Sequence, residues 1–212
     1  MIVTIEINNN IFQLHPSGAI YWVTNKMLLI ADVHLGKVLH FRKYGAAIPA
    51  SAAYKNFETL TEVVNHFEPN TVCFLGDLFH STLNKEWREF EKWVEYCKAK
   101  VILVSGNHDV IPQYLYENLG VEVIDELVLN DFHLTHHPSE TDKGFNFCGH
   151  VHPGIRMKGM GRQFVKLPCF YKTENQLILP AFGNFTGKYI LTPSSNDEVF
   201  VIVEGEVICV SR

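Results

Sequence analysis

The chain has 212 residues, of which 47% are hydrophobic and 19% charged, and this composition excludes a disordered or collagen-like protein. At this length roughly 70% of the unfolded surface can be buried, so the core needs neither disulfides nor a structural metal. The formal net charge of −5 argues against nucleic-acid binding through overall charge, and leaves only local basic patches for that purpose.

Residues 2–7 and 12–23 alternate apolar and polar around Asn8-Asn9-Asn10, the pattern of an N-terminal β-hairpin. Residues 27–33 are nearly all apolar, so a strand buried on both faces is expected there, and residues 71–75 and 101–104 have the same character. Between these runs Phe57, Leu60, Val63, Val64 and Phe67 recur at helical spacing, after Ser51 as a candidate N-cap. Trp87, Phe90, Trp93, Val94 and Cys97 do the same after Asn84. Strand, helix, strand, helix, strand predicts βαβ units with mostly parallel strands. A short helix is expected over residues 113–118. Alternating segments follow at 121–128, 132–135, 145–148, 163–167, 176–179, 190–191 and 199–210, and they predict β-hairpins that return to the first half. No repeat or low-complexity linker divides the chain, so a single domain over residues 1–212 is expected.

Smaller signals bound the setting. No apolar run approaches the ~20 residues that span a bilayer, and the first ten residues lack the features of a signal peptide, so a cytoplasmic location without membrane contact is expected. The five cysteines form no close pair and read as buried free thiols, with Cys73, Cys148 and Cys209 inside apolar runs. Residues 183–188 resemble a P-loop only superficially, because the spacing is one residue short and Tyr189 stands where Ser or Thr is needed. His15, His66 and His133 read as structural or surface residues.

The chemistry collects where the apolar runs end. The first leads into Asp32-Val33-His34, the second into Gly76-Asp77-Leu78-Phe79-His80 and the third into Gly106-Asn107-His108-Asp109. The second half adds His136-His137 and Gly149-His150-Val151-His152. Ligand sites of open α/β sheets lie beyond the carboxyl ends of the strands, so all five clusters can meet in one crevice. Taken singly, a capping Asp or a Gly-Asp turn is ordinary loop chemistry. Jointly, five clusters of Asp, Asn and His after apolar runs are poorly explained by turns. The ligand set is carboxylate, imidazole and amide oxygen without thiolate, which suits Mn²⁺, with Fe or Zn²⁺ as alternatives. Its size exceeds one tetrahedral site and fits two cations that share a carboxylate, the arrangement that clamps a phosphoryl group for in-line attack.

In this order Asp-x-His, Gly-Asp, Gly-Asn-His-Asp, a lone His and Gly-His-x-His resemble the calcineurin-like metallophosphoesterase superfamily. With residues 31–37, Phe41-Arg42, residues 149–154, Pro168-Cys169-Phe170 and residues 180–187, the chain is most similar to the ligase-associated DNA-damage-response endonuclease group, called PdeM-like. The resemblance implies a two-sheet α/β sandwich with helices on its outer faces. It implies two divalent metal ions and a phosphodiesterase, in that group an endonuclease of DNA repair that accompanies DNA ligase. By matching position, Asp32, His34 and His152 would hold the first metal, Asp77 would bridge, and Asn107, His136 and His150 would hold the second. His108 would stabilise the phosphate and protonate the leaving oxygen, with Asp109 orienting it. The nucleophile would be a hydroxide bridging the two metals. His136 is preferred over His137 as the ligand, leaving His137 to contact substrate. His80 either points into the cleft or caps the following helix.

Substrate recognition is drawn from cations near these clusters. Lys37, His40, Arg42 and Lys43 follow the first, and Arg156, Lys158, Arg162 and Lys166 follow the last, a rim suited to phosphates flanking the scissile one. Phe41, Tyr44, Phe170 and Phe182 are candidates for base stacking, although Phe182 sits in an apolar run that suggests core. The rim fits DNA, RNA, a nucleotide or a smaller diester. A phosphomonoesterase or nucleotide pyrophosphatase is the main rival. A binding module without turnover is disfavoured by the presence of Asp77, Asn107 and His108, and a structural metalloprotein by the excess of ligands.

Overall fold

The computed structural model describes residues 1–43, 45, 49, 54–80, 82–140, 142–159, 163–184 and 186–211, without the side chains of Leu39, Arg42, Lys43 and Ser211. Tyr44, Ser51 and Arg162, and the Arg42 and Lys43 side chains, therefore lie outside the described residues. The N-terminal hairpin pairs β1 (Val3–Ile7) with β2 (Asn10–Leu14), and Asn8 and Asn9 take the left-handed conformation that a tight hairpin turn requires. β3 (Ile20–Trp22) and β4 (Met27–Ile30) continue the meander. The chain then crosses through α1 (Lys37–Lys43) and α2 (Lys55–Phe67) to β5 (Thr71–Leu75), and through α3 (Glu86–Tyr96) to β6 (Lys100–Val104). α4 (Gln113–Glu117) leads to β7 (Glu122–Ile124), which closes a seven-stranded sheet in the order β1 to β7, parallel from β4 onward.

The second sheet holds β8 (Leu127–Leu129), β9 (Phe132–Leu134), β10 (Phe145–Cys148), β11 (Pro153–Lys158), β12 (Phe164–Lys172), β13 (Gln176–Ile178) and β14 (Tyr189–Ile190), with β15 (Glu198–Val203) and β16 (Glu206–Ser211) paired onto β12. Successive side chains of a strand face opposite ways, and this builds two cores at once. Leu28, Ile30, Val72, Phe74, Val101 and Leu103 face α2 and α3, together with Leu60, Val63, Phe90 and Trp93. Leu29, Ala31, Cys73, Leu75, Ile102 and Val104 face the second sheet, meeting Phe132, Phe147, Phe170 and Leu177. Phe12 joins the sheets by ring contacts to Trp22, Phe132 and Phe147 at 5.3, 5.3 and 4.9 Å.

The architecture is the expected two-sheet α/β sandwich with helices. Asn84 caps α3 as anticipated, its Oδ1 accepting the Glu86 N–H at 2.9 Å. The sequence pattern assigns no element to residues 37–43 or 153–158, which form a helix and a strand. Two expectations are corrected. Cys209 is exposed, because it lies on the outer hairpin β15–β16, whereas the other four thiols are buried. Phe170 is fully buried between the sheets and cannot stack on a base. The three tryptophans are core residues. Among the described residues no helix is long and apolar enough to cross a membrane.

Candidate metal centre

Asp32, Asp77 and Asn107 follow the carboxyl ends of parallel neighbours β4, β5 and β6, so one side of the first sheet carries all three. His136 and His150 follow β9 and β10, which are parallel neighbours in the second sheet. The backbone is turned sharply to aim these groups. Asp32, His34, Asp77, His150 and His152 all have φ between 50° and 65°, an uncommon conformation for residues with a side chain and one that collects at functional sites.

The glycines of the motifs make room for ligands from other strands. A Cβ on Gly76 would lie 2.2 Å from His136 Nδ1, and one on Gly149 would lie 2.5 Å from Asp32 Oδ2. A Cβ on Gly106 would meet Asp77 Oδ1 at 2.3 Å. Each glycine thus belongs to its neighbour's site as much as to its own turn.

Two clusters result. In the first, Asp32, His34 and His152 offer ligand atoms within 4.8 Å of one another, with His34 Nε2 3.2 Å from His152 Nε2 and His152 Nε2 3.2 Å from Asp32 Oδ1. In the second, His136 Nε2 lies 3.1 Å from Asn107 Oδ1, 3.2 Å from His150 Nδ1 and 3.4 Å from Asp77 Oδ1. Asp32, Asp77 and His136 form a third such group, which joins the two. His137 is exposed and forms a group with His136 and His150, its ring centroid 4.0 Å from that of His150.

The donor set fits divalent cations. His136 Nδ1 is 2.9 Å from the Leu75 carbonyl, which can only accept, so Nδ1 carries the proton. In the neutral ring Nε2 is then a bare lone pair facing Asp77 and Asn107 oxygens, an arrangement of acceptors that calls for a cation. Asp32 Oδ2 accepts the His150 N–H at 2.9 Å, while its buried Oδ1 accepts no hydrogen bond even though His152 Nε2 is near. His34 is held neutral, the form that ligates metal: burial first, then the charge on Lys37 and the rings of His152, His80 and His108, lowers its pKa to about 2.

His108 is exposed on the turn after β6, its backbone N–H donated to Asp77 Oδ1 at 2.9 Å and its ring centroid 5.8 Å from that of His34. Asp109 acts on the backbone. Its carboxylate accepts the N–H groups of Asp77, Gly106 and Phe79 at 2.8, 2.9 and 3.2 Å, clamping the β5 and β6 turns together. Burial, only partly opposed by these bonds, raises its pKa to about 6. His80 turns to the cluster rather than to α3, with ring centroids 5.2 to 5.4 Å from His108, His34 and His40. Lys37, at the start of α1, is half-buried beside Asp32 and Asp77, and burial lowers its pKa. Arg156 lies on β11, outside both ligand clusters, its guanidinium carbon 3.7 Å from the Phe164 ring centroid.

Supporting residues escaped the sequence reading. Buried Asn56 donates Nδ2–H to the Val33 carbonyl at 3.1 Å, and its Oδ1 accepts the backbone N–H and the side-chain Nδ2–H of Asn184, tying α2 and Asn184 to the turn between Asp32 and His34. Buried Glu86 accepts the Gly36 N–H at 2.8 Å. A polar residue on the apolar face of an amphipathic helix was the available signal for both. Burial pushes the Glu86 carboxyl up to about 7, with the Gly36 N–H opposing it. The folded chain thus holds a proton on Glu86 that the unfolded chain releases between about pH 4.5 and 7, so this group costs stability as pH rises through that window and the cost is complete above 7. Glu86→Gln keeps an acceptor for Gly36 and removes the charge. Chemical denaturation of apo protein at pH 8 and pH 4.5 should show the variant gaining about 1–3 kcal/mol on the wild type at the higher pH only. An equal difference at both pH values would refute the assignment.

The sequence matches the calcineurin-like phosphoesterase family over residues 26–170, which contain every ligand candidate above. The chain belongs to the calcineurin-like phosphoesterase family. Membership makes it a metal-dependent phosphoesterase, in keeping with the donor clusters. Among solved structures, the Pseudomonas putida nuclease MPE is 28% identical with a TM-score of 0.81, and the match covers 99% of this chain and 100% of that one. A protein of unknown function from Aquifex aeolicus is 19% identical with a TM-score of 0.42, covering 59% of this phosphoesterase and 78% of that chain. A comparison with curated proteins finds no match.

Proposed function

We propose that this phosphoesterase hydrolyses phosphodiester bonds of nucleic acid with two divalent cations, Mn²⁺ foremost, held in the two clusters. The observation that carries this reading is the pair of acceptor-rich groups joined through Asp32 and Asp77. The likeness to a nuclease along the whole chain supports the substrate class. Asp32, His34 and His152 would hold one cation and Asn107, His136 and His150 the other, with Asp77 between them and His137 at the outer edge. When bound, the cations supply positive charge to the phosphoryl oxygens and acidify water.

The chain's own residues do the rest. The turn that fixes Asp77 also fixes His108, because one carboxylate oxygen accepts the His108 N–H. With its ring centroid 5.8 Å from that of His34, His108 would sit beside the scissile phosphate, where its ring would donate to the phosphoryl oxygen and then protonate the leaving oxygen. Asp109 holds the two turns in register, so it positions His108 through the backbone. Lys37 and His80 line the side of the first cluster and bind non-bridging oxygens, and Arg42 follows on the same helix. Arg156, which belongs to neither ligand cluster, binds a flanking phosphate.

The test uses apo protein reloaded with Mn²⁺ and initial rates on bis(p-nitrophenyl) phosphate and p-nitrophenyl phosphate. The expected result is a metal-dependent rate that favours the diester. His108→Ala should lower kcat by about 10²–10³-fold with metal content unchanged. A rate confined to the monoester would overturn the diesterase reading in favour of a phosphatase.

A further inference from the structure

We propose that one face of the β11–β12 hairpin is the track on which a single nucleic-acid strand lies as it leaves the metal centre. The inference rests on the phosphodiesterase reading and narrows its substrate to an extended strand longer than a dinucleotide. Residues 144–173 contain five of the 18 Lys and Arg residues and none of the 23 Asp and Glu residues, in a chain whose net charge is −5. The strand pairing sorts three of them, Arg156, Lys158 and Lys166, onto one face. Arg156 lies opposite Lys166, and Lys158 lies opposite Phe164. Alternation puts Arg156 and Lys158 on the same side, and the stacking of Arg156 on Phe164 confirms it. Ile155, Met157 and Leu167 point the other way, into the core of the second sheet.

A fourth cation continues the line toward the metals. A Cβ on Gly154 would face the same side and would lie 3.1 Å from Lys188 Cβ, so the Lys188 stem rests over the root of the hairpin. Among the described residues, Arg156, Lys158, Lys166 and Lys188 are exposed and make no ion pair with a carboxylate. Cations two residues apart on a strand stand about 6.8 Å from each other, a spacing comparable to that of neighbouring phosphates on an extended strand. Phe164 is 53% exposed and offers a ring face or edge for a base. At the hairpin root His152, Pro153, Pro168, Phe182, Asn184 and Lys188 line a cavity of 220 Å³. That is below the range of about 300 Å³ and upward typical of drug-sized ligands, and its proline and phenylalanine walls suit one base beside a ligand of the first cluster.

The test measures binding in EDTA, so that no strand is cut, by fluorescence anisotropy of a labelled 12-nucleotide oligodeoxythymidine over a salt series. Four phosphate contacts predict a slope of log K against log salt near −3, from about −0.7 per contact on single strands. The triple variant Arg156→Ala, Lys158→Ala, Lys166→Ala should bind at least tenfold more weakly at 0.1 M salt and lose about 2 from that slope. Phe164→Ala should bind roughly tenfold more weakly with the slope unchanged. A control with the same change of charge, Lys55→Ala, Lys92→Ala, Lys98→Ala, should bind like the wild type. Equal weakening by the two triple variants, or none by either, overturns the proposal. Turnover of the small diester by the wild type is a separate readout. If it is present while the hairpin variants bind normally, only the track is wrong. If it is absent while they bind weakly, the diesterase reading fails and the strand-binding surface stands.

Discussion

Asp77→Asn is expected to lower Mn²⁺-dependent diester hydrolysis by about 10³-fold or more. The substitution is nearly isosteric, and the amide oxygen can still accept the His108 N–H that Asp77 Oδ1 accepts at 2.9 Å. The turn should therefore keep its shape. What is lost is the negative charge between the two clusters, a carboxylate 3.9 Å from His34 and 3.4 Å from His136. Without metal the variant should be the more heat-stable protein, because Asp32 and Asp77 are both buried, and removing one of two neighbouring carboxylates relieves repulsion. With metal the order should reverse, since a cation that binds only the folded state adds stability in proportion to its affinity. Metal analysis after gel filtration, with melting curves at increasing Mn²⁺, gives both quantities. A variant that retains two metals and a rate within tenfold of the wild type would remove Asp77 from the bridging role.

Gly149→Ala should be nearly as damaging, although only a single methyl group is added. The new Cβ would lie 2.5 Å from Asp32 Oδ2 and 2.7 Å from Ala31 Cβ. Asp32 cannot simply swing aside, because that same oxygen accepts the His150 N–H at 2.9 Å. Either Asp32 leaves the first cluster or the end of β10 retreats and carries His150 and His152 with it. Both routes separate ligands contributed by different sheets. Metal affinity should fall about 10- to 100-fold, and the apo protein should lose about 1–3 kcal/mol of stability from overpacking. Gly187→Ala is the control, since a Cβ there meets nothing within 4 Å. Calorimetric titration with Mn²⁺ reads the affinity directly. Equal affinity in Gly149→Ala and Gly187→Ala would show that the close approach of Gly149 to Asp32 is not needed for metal binding.

The site was legible in the sequence because each of its parts is local. An apolar run followed by Asp, Asn or His is visible without knowing what lies across the cleft, and the order of five such runs carries the resemblance. The strands and the two long helices followed from the same periodicities. What escaped depends on partners distant in the chain. Asn56 reads as one polar residue on a helix until Asn184, 128 positions later, is seen bonded to it. Glu86 gains its meaning from Gly36, fifty positions earlier. β11 alternates cations with apolar residues after an opening Pro-Gly, and it is the pairing with β12 that shows which face those cations share. Phe170 looked available for stacking because sequence does not reveal which face of β12 meets the first sheet. For Asp109 the resemblance implied only that it orients His108, and the three backbone amides that its carboxylate accepts come into view only in the fold.

The interleaved phenylalanines between the sheets also bear on the chemistry. Asp32, His34, Asp77 and Asn107 come from one sheet, and His136, His150 and His152 come from the other. The thickness of the aromatic filling made by Phe12, Phe132 and Phe147 therefore sets how far apart the two half-sites stand, like a spacer between two plates. Trimming that filling should change the spacing of the candidate ligand groups without touching any of them.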